Sequence, residues 1–62
     1  MTNDIVKIIC YGQEQEMTRS AAIRKFTEGV LACEGAERDR YANILSDLYC
    51  GLTVCTDQPN RL

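Results

Sequence analysis

The segment Thr18–Gly51, TRSAAIRKFTEGVLACEGAERDRYANILSDLYCG, decides the fold. Its first half places apolar side chains at Ile23, Phe26, Val30 and Cys33, the three-and-four spacing of one helical face. Its second half keeps the same period at Tyr41, Ile44, Leu45 and Leu48. Between them, Cys33-Glu34-Gly35-Ala36 is a short connection containing a glycine, which makes antiparallel neighbours of the two helices. The spacing predicts helices over about 19–33 and 36–50. Thr18 is the expected N-cap of the first, with Ser20 as an alternative, although no Glu or Gln follows Thr18 at the third position to complete a capping box. Gly29 within the first helix costs ~1 kcal/mol relative to Ala, and close approach of the partner helix is the expected reason. Gly35 and Gly51 are the expected stop signals.

Towards the N-terminus, Ile5 to Tyr11 is rich in β-branched residues and reads as a strand. Alternation puts Val6, Ile8 and Cys10 on one face and Ile5, Lys7, Ile9 and Tyr11 on the other. Lys7 marks the second as the outer face, so Val6, Ile8 and Cys10 are expected to meet the helices. Gly12-Gln13 reads as a tight turn, and residues 14–17 as a short, polar returning strand suited to a sheet edge. Towards the C-terminus, residues 52–56 form a third β-branched segment, expected to pair beside the first strand or else to cover the end of the helical hairpin. Residues 57–62, around Pro59, read as a loose tail. The expected architecture is a single α+β domain over residues 1–62: a small two- or three-stranded antiparallel sheet on an antiparallel helical hairpin, in the order ββααβ.

A chain of 62 residues buries only ~60% of the surface that its unfolded form exposes, so a disulfide, a metal or a second copy would each add needed stability. The four cysteines, Cys10, Cys33, Cys50 and Cys55, do not have the spacing of a zinc site: there is no C-x-x-C pair and no histidine. Cys33 and Cys50 also flank the second helix, ~20 Å apart at 1.5 Å per residue. The N-terminal residues have no basic region and Ile5–Tyr11 is too short for a membrane span, which gives the expectation of a cytoplasmic protein with reduced thiols. The cysteines are then small buried apolar residues. No metal, cofactor or membrane partner is expected.

The net charge of −2, with seven basic residues interleaved among nine acidic ones, argues against a general nucleic-acid binder. No histidine, phosphate loop or nucleophile elbow is present, so a non-enzyme is expected. Two surfaces are candidates for a protein partner. One is the outer strand face of Ile5, Ile9 and Tyr11, which a helical layer on one side leaves uncovered. The other is the charged cluster Glu34, Glu37, Arg38 and Arg40, with Asp39, at the helical turn.

The strings Glu16–Ile23, Glu28-Gly29-Val30, Cys33–Ile44 and Val54–Asp57 resemble a family of small uncharacterised proteins and accessory domains carried by phages and conjugative elements of Gram-positive gut bacteria. Ser20 and Ala21 depart from it, standing where a more polar pair is expected. The resemblance implies a mobile-element protein that inhibits or modulates a host protein, including a defence factor. A nucleic-acid-associated regulator using Arg19, Arg24, Lys25, Arg38 and Arg40, and a homodimeric assembly protein, are the alternatives.

Overall fold

Two antiparallel returns of the chain set the topology. In a computed structural model, which describes residues 3–58, β1 (Ile5–Cys10) and β2 (Gln13–Thr18) form a hairpin. Helices α1 (Arg19–Ala32) and α2 (Gly35–Tyr49) follow, then β3 (Val54–Thr56). The sheet order is β2-β1-β3. The hairpin brings the chain back to the starting end of β1, where the Arg19 N–H donates to the Asp4 carbonyl at 2.7 Å. The helical pair then returns it to that end a second time. β3 therefore starts where β1 starts and runs parallel to it, with Lys7 opposite Val54 and Ile9 opposite Thr56. This corrects the all-antiparallel sheet expected from the sequence: only the β1–β2 pair is antiparallel, and the sheet is mixed.

The hairpin turn also lies one residue earlier than expected, at Tyr11-Gly12, and pairs Cys10 with Gln13. Tyr11 (φ 54°) and Gly12 (φ 75°) both have positive φ, the pattern of a two-residue I′ loop that matches the twist of the strands. Tyrosine is an unusual residue there, and left-handed backbone costs a β-carbon-bearing residue roughly 1–2 kcal/mol. What holds Tyr11 in place belongs to the binding surface described below.

Val6, Ile8 and Cys10 turn inward and are buried, as the alternation required. They pack with Ala22 and Phe26 of α1, Ile44 and Leu48 of α2, and Cys55 of β3. The buried stripe of α1 is rotated from the expected one: Ala22 is its deepest residue, Ile23 packs only partly, and Cys33 lies beyond the helix. A methyl group contributes little to an apolar pattern, so Ala22 does not stand out in the sequence.

The caps follow their sequence signals with one exception. The Thr18 hydroxyl accepts from the Ala21 N–H at 3.3 Å. Gly29 meets α2 as expected, since a β-carbon there would lie 2.8 Å from Cδ2 of Tyr41. Gly51 (φ 86°) closes α2 in a Schellman arrangement, with Gly51 N–H to Leu48 C=O at 3.2 Å and Leu52 N–H to Asp47 C=O at 3.2 Å. Gly35 is the exception. Cys33 and Glu34 are extended after α1, and Gly35 (φ 68°) opens α2 rather than capping α1.

Candidate partner-binding surface

The helices cover one face of the sheet, and no element among the described residues covers the other. On the open face β1 contributes Ile5, Lys7 and Ile9, β2 contributes Glu14, Glu16 and Thr18, and β3 contributes Val54 and Thr56. Ile5 is 59% exposed and Val54 48%, while Ile9 is half-buried between its neighbours. The Lys7 ammonium lies 3.7 Å from Glu14 across the strands, and its direct partner in register is Glu16. One lysine thus faces two carboxylates.

Tyr11, expected on this face, does not join it. The positive φ at the turn carries its ring to the helical side, where Cζ of Arg40 stands 4.6 Å above the ring centroid. Its hydroxyl donates to Glu37 Oε2 at 3.3 Å, and the Tyr41 hydroxyl comes within 3.5 Å of the same oxygen. Partial burial and the Glu37 carboxylate both raise the Tyr11 phenol above its ordinary pKa. Of the charged cluster, Glu37 and Arg40 therefore meet Tyr11. Arg38 and Glu34 remain exposed, and Glu34 is the N-cap of α2 without a side-chain capping bond.

Asp57, expected in a loose tail, is the residue that organises this end of the molecule. It is 4% exposed. Its Oδ2 accepts from the Tyr11 N–H at 3.0 Å and from Arg40 Nη1 at 2.9 Å. Its own N–H donates to Ile9 C=O at 3.0 Å, and Asn43 Nδ2 donates to its carbonyl at 3.1 Å. The Tyr11 N–H first, and then the Arg40 guanidinium, hold the carboxyl below its ordinary pKa against the opposing effect of burial. Of the expected tail, only Asp57 and Gln58 are described; 59–62 lie outside the described residues. At the opposite end, Arg19 makes a two-pronged pair with Asp4 at 2.8 and 2.7 Å. It also donates to the Leu48 carbonyl at 2.8 Å, satisfying the C-terminus of α2.

A second buried carboxylate, Asp47, closes the other side of β3. Asp47 is 6% exposed, and its Oδ2 accepts from the Thr56 N–H at 3.1 Å. In β3, the neighbouring bonds Lys7 N–H to Thr53 C=O and Asp57 N–H to Ile9 C=O show which alternate residues face β1. The Thr56 N–H therefore points away from β1, and Asp47 occupies the outer edge of the strand. The legible signal was position: Asp47 falls three residues after Ile44, beside Leu48, within an otherwise apolar stripe.

On the helical side of β2, a cleft of about 350 Å³ is lined by Cys10, Gln13, Gln15, Lys25, Phe26 and Tyr41, with Tyr11 at its rim. It exists because β2 presents glutamines rather than apolar residues inward at Gln13 and Gln15. The Phe26 and Tyr41 rings in its lining lie 5.6 Å apart, and Lys25 Nζ donates to Gln15 Oε1 at 3.1 Å. Burial first, and then the Asp57 carboxylate, raise the Cys10 thiol above its ordinary pKa. All four cysteines are free. Cys10 and Cys55 are buried as expected, but Cys33 is only half-buried and Cys50 is exposed at the end of α2. Among the described residues, no three His, Cys, Asp or Glu side chains come together. No described helix is long and apolar enough to cross a membrane.

Comparison with protein-family models, curated proteins and solved structures finds no match. The functional reading rests on the surface itself.

Proposed function

We propose that this chain is a non-catalytic, cytoplasmic protein-binding module of a mobile element, which inhibits or modulates a host protein. The observation that carries the protein-binding part of the reading is the one-sided sheet, on which no element among the described residues covers Ile5, Ile9 and Val54. The cleft supports the non-catalytic part. Its ionisable groups are a thiol raised by burial, a lysine bonded to an amide, and phenols raised by burial and Glu37. A pocket so lined suits reception of a side chain better than proton transfer. The nucleic-acid reading loses ground because Arg19 and Arg40 are committed to Asp4 and Asp57. That removes two cations from a phosphate-binding set that was small at the outset.

The test is affinity capture by the tagged protein from a Gram-positive host lysate, read by mass spectrometry, for the wild type and for Ile5→Asp with Val54→Asp. Both positions are exposed, so circular dichroism should show the fold retained. One host protein enriched by the wild type and lost with the variant is the expected result. Recovery of nucleic acid alone, or of the chain alone, overturns it in favour of a regulator or a self-assembling protein.

A further inference from the structure

Resting on the protein-binding reading, we propose that the outer edge of β2 receives an extended peptide segment with basic residues at alternate positions and apolar residues between them.

The edge is free in a way that β3 is not. In a two-residue hairpin the residues flanking the loop bond to each other, so Gln13, Gln15 and Met17 turn their backbone groups to β1. Glu14 and Glu16 then turn theirs outward. Among the described residues, no backbone or side-chain partner reaches those outward groups. β2 is six residues long, and its first four are exposed. Such an edge is a template for an added strand.

The side chains say what would be added. On the open face, Glu14 and Glu16 stand two residues apart, and among the described residues only Lys7 answers them. An antiparallel segment with Lys or Arg directly opposite each of them completes the charges, and like charges opposite them are repelled. The residue between the two basic ones points to the helical face, beside Gln15 of the cleft that Phe26 and Tyr41 also line. An apolar side chain suits that position. A second copy of this chain does not fit the edge. Two-fold pairing of β2 with itself keeps the helices on one side, and so sets Glu14 and Glu16 against glutamates of the partner copy.

The probe is an end-capped octapeptide of alternating Lys and Val, titrated into the full chain and followed by amide shifts and hydrogen exchange. Binding should slow exchange at Glu14 and Glu16 and shift Gln13, Gln15 and Phe26. Glu14→Lys with Glu16→Lys should weaken it about tenfold or more at low ionic strength and transfer preference to the Glu-Val counterpart. N-methylation separates strand addition from mere charge. Methyl groups on the lysine amides, which face β2, should abolish binding, and methyl groups on the valine amides should not. No binding, equal binding of both methylated peptides, or indifference to charge reversal each overturns the proposal. Capture of a host protein that survives charge reversal but fails with Ile5→Asp and Val54→Asp would overturn the edge alone and leave the protein-binding reading standing.

Discussion

The two edges of this sheet are finished by opposite means. β3 is three residues long, and a buried carboxylate from α2, Asp47, takes the outward N–H of Thr56. Asp57 then fixes the end of the strand to the hairpin turn and to Arg40. β2 is twice as long and has no such covering among the described residues; it carries carboxylates at Glu14 and Glu16 instead. An edge closed by a buried hydrogen bond is removed from interaction. An edge guarded by carboxylates stays open to whichever strand carries the complementary charge. The difference separates a structural side of the molecule from the side proposed above for recognition.

Breaking the closed side should have the largest effect. Asp57→Ala leaves the Tyr11 N–H and the Arg40 guanidinium without their shared acceptor. It should cost about 2–3 kcal/mol, by the worth of hydrogen bonds to charged groups. In a domain this small, that is a fall of more than 10 °C or so in thermal midpoint. Asp57→Asn, which keeps an acceptor, should lose less. A midpoint for the alanine variant within a degree or two of wild type would show that Asp57 does not hold the turn. Asp47→Ala strands the Thr56 N–H and should cost about 1–3 kcal/mol, read by denaturant unfolding.

Acid should act on the same side. The folded pKa of Asp57 is depressed, so its contribution is present above the unfolded carboxyl value of about 4 and is lost as pH falls through the lower folded value. The Asp4 carboxyl, lowered chiefly by Arg19, behaves likewise. Unfolding midpoints should therefore hold from neutral pH to about 5 and fall below about 4, with a shallower fall in Asp57→Asn. A profile for that variant superimposable on wild type would locate the acid sensitivity elsewhere.

Gly29→Ala tests the packing between the helices. Helix propensity alone predicts a gain of about 1 kcal/mol. The added β-carbon, 2.8 Å from the Tyr41 ring, should reverse the sign, with overpacking costing about 1–3 kcal/mol. A stabilised variant would show that Tyr41 gives way freely.

The sequence made the helical pair, Gly29 against its partner helix and the inward set Val6, Ile8 and Cys10 legible, because each is written in a local period or a residue type with one conformational use. The direction of β3 was not legible from its own residues; it follows from counting the returns of the chain. Tyr11 was misplaced because its positive φ depends on contacts with Arg40 and Glu37 that lie far along the chain. Asp57 was hidden for the same reason. A carboxylate after a short strand reads as a solvated turn until Tyr11 and Arg40 are brought to it.

The smallest change in stability, and the sharpest test of the two-edge contrast, belongs to Glu14→Gln with Glu16→Gln. Both residues are exposed and the Lys7–Glu14 pair is a surface pair, so folding stability should move by no more than about 0.5 kcal/mol. Self-association is another matter. If charge alone keeps β2 from pairing with β2 of another copy, removing it should let the free backbone groups of residues 14 and 16 find partners. Sedimentation equilibrium should then show the variant's average mass rising with concentration more steeply than that of the wild type. Curves that coincide would mean that something other than charge keeps copies apart, and the acidic row would lose its role as the selector of a basic partner.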